Sequence, residues 1–314
     1  MSFFEDALTG LTASPKWLAP KYFYDAQGSH YFDLICQLDE YYPYRTEMAL
    51  LPQVAKELDA WLPEAVVIVE FGAGSLHKIR PLLQLSRAIK GFIPIDISAD
   101  HLQHAENRLR GEFPELEVRS AVGDFTQPIA LPRLHADSAG ALPRLGFFPG
   151  STIGNFTPAE AERFLINARH SLGPDGLFLL GVDTQQDLVV LERAYNDSQG
   201  ITAKFNKNIL MRMNRELNTD FDIQHFTHHA HYNPAAGRIE MHLVSETPQC
   251  IQLGRHQIRF ARGETIHTEN SYKYTDEKLA ALVSAAGWRI IHQWQSADGA
   301  FREVLLQPTR STDE

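Results

Sequence analysis

The chain has 314 residues, a formal net charge of −10 at pH 7, and 44% hydrophobic and 22% charged residues, which is enough apolar mass for one large or two ordinary globular domains. The acidic balance and the lack of any Lys/Arg run exclude a nucleic-acid partner, and two cysteines without C-x-x-C spacing, Cys36 and Cys250, exclude a disulfide scaffold or zinc finger. No signal-peptide pattern opens the chain and no run approaches about 18 apolar residues, so a cytoplasmic protein without a membrane partner is expected, and a monomer.

The first 45 residues are rich in aromatics and turn formers, with YFYD and EYYPYR as dense tyrosine clusters. From Thr46, a candidate cap, the run TEMALLPQVAKELDAWL has helical apolar spacing, with Pro52 expected near a turn or kink. Strands and helices then alternate. VVIVEF (66–71) is an apolar strand and LHKIRPLLQLSRAI a helix; GFIPIDIS (91–98) is a strand and DHLQHAENRLRGEF a helix. LEVRSAVGDF (116–125) and LGFFPGSTIGNF (145–156) read as the third and fourth strands. Thr157-Pro158-Ala159-Glu160 has the spacing of a capping box with proline at the first helical position, and LFLLGVD (177–183) is the fifth strand. Near-continuous apolar strands between helices predict a parallel sheet covered on both faces, an α/β fold.

Two regions break the rhythm. Residues 186 to about 273 read as a long helical stretch ending at NREL, then short strands around HFTHHAHYN and RIEMHLVSE. After Thr275 comes the helix DEKLAALVSAAG, then WRIIHQWQ and AFREVLLQ as an antiparallel hairpin at the sheet edge. The economical division is an α/β domain of 46–185 and 274–314, with a second module of 1–45 and 186–273 inserted into or laid over it. The loop of about 126–145 acquires no role.

The carboxyl ends of the first three strands carry the chemistry. Glu70 lies at the end of the first strand and Gly72 and Gly74 follow it, Asp96 ends the second, and Asp124-Phe125 ends the third. Open α/β sheets bind ligands at this edge. The glycines admit close backbone approach, Asp96 can accept from a ribose diol, and Asp124 can take an exocyclic amine while Phe125 stacks on adenine. His77 stands where a dinucleotide fingerprint wants a third glycine, so the set reads as a site for S-adenosylmethionine (SAM). Asp96 and Asp124 could instead cap the helices that follow. A nicotinamide-dependent dehydrogenase and a SAM-sensing protein without turnover are rival readings of the same strand ends.

Beyond these motifs, the stretches LTASPKWLAPKYFYDAQGSHYFD, YYPYRTE, VEFGAGS, GSTIGNFTP, NRELN-x-DFD, RIEMHL and TENSYKY run along nearly the whole chain. In them the sequence resembles the bacterial histidine Nα-methyltransferases of ergothioneine biosynthesis. The resemblance implies a Rossmann-like class I methyltransferase sheet, which would bind SAM, with a second, smaller α+β substrate domain. It implies cofactor contacts at Gly72, Lys78, Asp96, Asp124 and Phe125, with Gly74 added from the strand-end reading. Lys78 is by spacing alone a solvated helix-surface residue; the resemblance makes it a partner for the cofactor's carboxylate. Substrate contacts are implied at Tyr41, Asn155, Tyr195, Glu269 and Ser271, with Tyr24 and Met241 as further pocket members.

The chemistry implied is trimethylation of the α-amino group of L-histidine to hercynine. Methyl transfer from a sulfonium needs collinear nitrogen, carbon and sulfur, with reacting atoms roughly 3–3.5 Å apart, and no metal. Asn155 and Tyr195 offer neutral donors to an α-carboxylate. Glu269 and Ser271, two apart, share a face if they lie on a strand, where an acid and a hydroxyl could read the two nitrogens of an imidazole. Tyr24 and Tyr41 are the catalytic candidates, bounding the amine pocket. A relative acting on another amino acid such as tryptophan is the alternative. His229 and His231 could share a strand face and hold a metal; no acid or cysteine ligand stands beside them in sequence, so none is expected.

Overall fold

The computed structural model describes residues 2–74, 76–97, 99–134 and 142–309. Ser75 of the glycine turn, Ser98, and positions 135–141 of the loop left without a role lie outside the described residues. In chain order the elements are α1 (Phe3–Thr12), β1 (Lys16–Trp17), α2 (Ala26–Ile35), α3 (Tyr42–Leu58), β2 (Val66–Phe71), α4 (Ile79–Leu85), β3 (Ile89–Asp96) and α5 (Ala99–Glu112). There follow β4 (Glu117–Val118), β5 (Ala121–Val122), β6 (Arg144–Phe148), α6 (Pro158–Leu172), β7 (Leu177–Asp183), α7 (Leu188–Tyr195) and α8 (Ile201–Leu217). The rest are β8 (Phe226–Asn233), β9 (Arg238–Ser245), β10 (Gln249–Leu253), β11 (His256–Phe260), β12 (Thr265–Tyr272), α9 (Asp276–Ala285), β13 (Trp288–Gln295) and β14 (Phe301–Pro308). Among the described residues both cysteines are free, and no helix is long and apolar enough to cross a membrane.

The chain divides into two compact units, one running up to Arg45 and resuming over Gln185–Lys273, the other Thr46–Thr184 with Tyr274 onward. The second is an α/β unit on an eight-stranded sheet ordered β13-β14-β7-β6-β2-β3-β4, with β5 also on β3. β2, β3, β6 and β7 run parallel, while β14 and β13 close the edge as an antiparallel hairpin. Every residue of β2 and β7 is buried, Glu70 and Asp183 included, as their near-continuous apolar runs require of strands covered on both faces. Strand order reverses between β2 and β6, so the chain leaving β2 enters a topological switch point.

Several expected boundaries move. The helix expected at Thr46 begins at Tyr42, because Pro43 fits a first helical turn and needs no polar cap. The helix expected over 76–89 shrinks to α4, since Leu76 takes φ 58° and Ile89 already belongs to β3. The third strand is two two-residue strands. The fourth stops at Phe148, and Ser151 at φ 53° leads into a 3₁₀ turn over Thr152–Asn155. The helical stretch after 186 is two helices, broken where Gly200 adopts φ 68°.

The first unit carries a four-stranded sheet ordered β1-β12-β9-β8 and a separate β10–β11 hairpin. Helices α7 and α8 pack on one face of that sheet. Its irregularity decides what points where. His267 pairs with His242 and Glu269 with Met241, so Thr268 is an inserted residue, a β-bulge. Cross-strand partners share a face, so His267 lies with His242, while Glu269 and Ser271 lie with Met241 and Ile239 on the other side.

Thr157 does cap α6: its side chain accepts from Glu160 N while Glu160 returns a bond to Thr157 N. Replacing Thr157 by Ala should cost about 1 kcal/mol, seen as a lower urea midpoint with an unchanged slope; an unchanged midpoint would mean that the cap adds nothing.

Candidate active site

In the α/β unit the glycine turn after β2 is held by Gly72 and Ala73, whose N–H groups donate to Ile95 O at 2.9 Å. Gly72 and Gly74 adopt φ 72° and 40°, where a Cβ is disfavoured. A Cβ on Gly72 would stand 3.1 Å from the Phe125 ring. Asp96, at the end of β3, faces Gly74 N at 3.4 Å through Oδ2. The structure thus brings Gly72, Gly74, Asp96 and Phe125 together, with Phe125 braced by Phe148 and Phe164 at centroid distances of 5.6 and 6.0 Å. A bare backbone turn, an acid and an aromatic ring fit an adenosyl group. Asp124 is exposed, and its Oδ1 accepts from Thr126 N at 3.0 Å and Thr126 Oγ1 at 2.6 Å, a loop turn of its own.

Lys78 is not the solvated helix residue that spacing suggests. It precedes α4, and its Nζ lies 2.6 Å from Glu47 Oε2, with Glu47 fully buried. Glu47 Oε1 in turn accepts from Gly150 N at 2.6 Å. Burial drives the carboxyls of Glu70 and Glu303 well above the usual carboxylate range, Lys78 opposing and Glu47 adding to the rise in each case. Glu47 and Glu303 were missed in the sequence. Glu47 is the more legible of the two, an acid in line with Leu50, Leu51 and Val54 on the apolar stripe of α3.

In the first unit, Tyr41 packs edge-on against Tyr195 at 6.1 Å and against Phe32 at 6.3 Å, and Tyr24 against Phe32 and Phe205 at 5.8 Å each. Burial, then Tyr195, raises the Tyr41 hydroxyl well above its ordinary range, so it stays protonated. Tyr195 ends α7, and its Oη donates to Ser271 Oγ at 2.7 Å. The ammonium of Lys273, also buried, donates to Ser271 Oγ at 2.8 Å and to Tyr195 Oη at 3.3 Å. Tyr24, Tyr41, Tyr195, Met241, Glu269 and Ser271 therefore gather in one unit. Asn155 lies in the other, at the end of the 3₁₀ turn before α6.

The bulge that aims Glu269 is pinned from below. Thr268 Oγ1 shares its one proton between Asn206 Oδ1 at 2.7 Å and Met241 O at 3.0 Å. Asn206 Nδ2 is 2.9 Å from His228 Nδ1, and His228 Nε2 is 2.8 Å from Tyr195 O. With Nε2–H donating to Tyr195 and Nδ1 accepting from Asn206, His228 is a neutral structural brace, and burial holds its pKa down. No hydrogen bond reaches the Glu269 carboxyl among the described residues. Burial pushes it up to about 8, against the pull of Lys273.

The other sheet face holds a stack of histidines, His229, His231, His242 and His267, with neighbouring centroids 4.8–5.4 Å apart. The expectation that no acid stands near them fails, because register places Glu240 opposite His231. His231, Glu240 and His242 bring ligand atoms within 4.8 Å of one another. Glu240 is already engaged: it accepts from Arg238 Nε and Asn233 Nδ2 at 2.8 Å and contacts His242 Nε2 at 3.0 Å. Burial would raise its pKa, but those bonds outweigh burial and bring it down to about 2, the mark of an ion-pair network.

Glu269 links pH to stability in the opposite sense to an ordinary salt-bridged acid. The folded protein keeps its proton up to about pH 8, whereas the unfolded chain loses it near 4.5. Its stabilising contribution is whole below 4.5, falls by about 1.36 kcal/mol per pH unit above it, and is gone once pH passes about 8. Glu269→Gln cannot ionise, so its stability relative to the wild type should climb between pH 5 and pH 8 in urea melts. A difference that stays flat across that window would put the carboxyl in water.

The family model for SAM-dependent, histidine-specific methyltransferases matches residues 3–308. The chain is similar to the histidine N-alpha-methyltransferase of Mycolicibacterium smegmatis, 40% identical over 305 residues covering 94% of this chain and 92% of the relative. It is 38% identical to the protein of that name from Mycobacterium tuberculosis, over 94% of this chain and 92% of the relative. The ergothioneine biosynthesis protein 1 of Neurospora crassa is 27% identical over 89% of this chain and 32% of its own length.

Proposed function

The chain belongs to the SAM-dependent, histidine-specific methyltransferase family, and we propose that it methylates the α-amino nitrogen of L-histidine three times, giving hercynine. The α/β unit is the proposed SAM domain and the other the proposed histidine domain. The observation that carries the reading is the uncommitted Glu269 carboxyl beside the Ser271 hydroxyl on one strand face, an acid and a hydroxyl for the two nitrogens of an imidazole.

On the SAM side, Asp96 would accept from the ribose hydroxyls, Asp124 from the adenine amine, and Phe125 would stack on the base. Gly72 and Gly74 leave room at the backbone. Lys78, already paired with Glu47, is the proposed partner of the cofactor's carboxylate. On the substrate side Glu269 and Ser271 take the ring, Met241 lines the sheet face, and Tyr24 and Tyr41 border the amine. Asn155 is the proposed donor to the α-carboxylate; the Tyr195 hydroxyl, whose proton goes to Ser271, is proposed to line the pocket.

The transfer is an in-line displacement. The amine lone pair forms the N–C bond as the C–S bond breaks, and the positive charge passes from sulfur to nitrogen. The first two products must each lose a proton before the next transfer; the third is quaternary and has none to lose. No oxyanion forms, so geometry supplies most of the acceleration. A cationic sulfonium nearby lowers the amine's pKa without a dedicated base.

Incubating the protein with SAM and each of the common amino acids should add up to three methyl groups to histidine alone, by product mass. An unchanged histidine mass overturns the reading, and a preference for tryptophan in direct competition would replace it with the indole alternative. Glu269→Ala should raise the KM for histidine about 5- to 150-fold, the effect of leaving one buried ring N–H unpaired at roughly 1–3 kcal/mol.

A further inference from the structure

Ser271 is served from two sides. A hydroxyl has one proton and two acceptor lone pairs. Ser271 Oγ accepts from Tyr195 Oη at 2.7 Å and from Lys273 Nζ at 2.8 Å, which fills both acceptor positions. Its own proton is then all it can offer a ligand. Lys273 is not an incidental surface lysine: it is 2% exposed, its Nζ also reaches Tyr195 Oη at 3.3 Å, and it lies 5.1 Å from the centre of the Tyr195 ring.

We infer that Lys273 is a positioning residue for substrate specificity: with Tyr195 it makes the Ser271 hydroxyl an obligate donor, so the site accepts histidine as a neutral imidazole with one bare ring nitrogen. The inference rests on the histidine reading above and deepens it. A donating Ser271 requires an unprotonated ring nitrogen. The other ring nitrogen then carries the N–H, and a Glu269 oxygen receives it, a bond that favours the ionised form of a carboxyl otherwise held protonated by burial. Lys273 serves both ends, since its charge also favours the ionised form of Glu269. An imidazolium would turn a second N–H toward a hydroxyl with no lone pair left, and an indole has no ring nitrogen to accept from it. A bare hydroxyl without Lys273 could rotate to suit either ring; the buried ammonium removes that freedom.

Two measurements test this. First, ring-¹⁵N-labelled L-histidine is bound to the wild-type protein saturated with the demethylated cofactor, and its nitrogen resonances are read by NMR. One protonated and one bare nitrogen are expected; two protonated nitrogens overturn the inference while leaving the histidine reading intact. Absence of both binding and methylation would overturn the two together. Second, Lys273→Met should raise the KM for histidine at least about tenfold with kcat and the KM for SAM nearly unchanged. Lys273→Gln, which keeps an N–H donor, should recover most of that loss. Added to Ser271→Ala, Lys273→Met should cost little more, because both act through one hydroxyl. A KM unmoved by Lys273→Met, or losses that multiply in the double variant, would overturn it. Should Lys273→Met fail to fold, the wild-type spectrum decides alone.

Discussion

A strand alternates its side chains between two faces, so a single extra residue reassigns everything beyond it. That is the constraint on which the rest of the first unit depends. Without the insertion at Thr268, Glu269 and Ser271 would share the face of His267. With it, they lie beside Met241 and Ile239, and Lys273, one alternation further on, reaches Ser271 and Tyr195. The bulge is not left to the ladder. Thr268 is tied to Asn206, Asn206 to His228, and His228 to the carbonyl of Tyr195. The residue that ends α7 and the residue that bends β12 are thus fixed by one chain of bonds, and Tyr195 meets Ser271 at its far end.

Two acids on adjacent strands show how partners rather than residue type set a role. Glu240 and Glu269 are separated by the thickness of one sheet and shifted in opposite directions, to about 2 and about 8. Glu240 is held by Arg238, Asn233 and His242 in an ion-pair network. Glu269 is desolvated with a single cation acting on it at a distance. A carboxyl held in this way is costly to ionise until something offers it a hydrogen bond, which is the property wanted in a group that waits for a ring N–H. Divergent environments for like groups are the usual sign that their tasks differ.

How much of this the sequence disclosed follows from the range of each interaction. Strands buried on both faces, such as 66–71 and 177–183, betray themselves as near-continuous apolar runs, and the Thr157–Glu160 cap is contained in four residues. The strand-end residues Gly72, Asp96 and Phe125 were legible because the topology of an open α/β sheet gathers them whatever the loops do. Register was not legible. Nothing local tells that Glu240 will face His231, or that an insertion at Thr268 will turn Glu269 over. Lys78 looked solvated because its partner Glu47 is distant in sequence, and nothing local marks Lys273 as buried. A buried ion pair leaves no periodic trace.

A substrate that changes during turnover sets the last requirement. On the proposed reading the amine gains bulk with each transfer and ends with a permanent charge, so contacts at that end cannot stay the same through three cycles. The imidazole does not change. Recognition is therefore best invested in the ring, on rigid elements, with hydrogen-bond directions that cannot drift. Sheet residues braced by a pinned bulge, a hydroxyl whose acceptor positions are filled, and an acid without competing partners answer to that need. The flexible part of the problem is left to tyrosine hydroxyls such as those of Tyr24 and Tyr41, whose rings are packed but whose protons can rotate. Specificity and repeated turnover then belong to different ends of one small molecule.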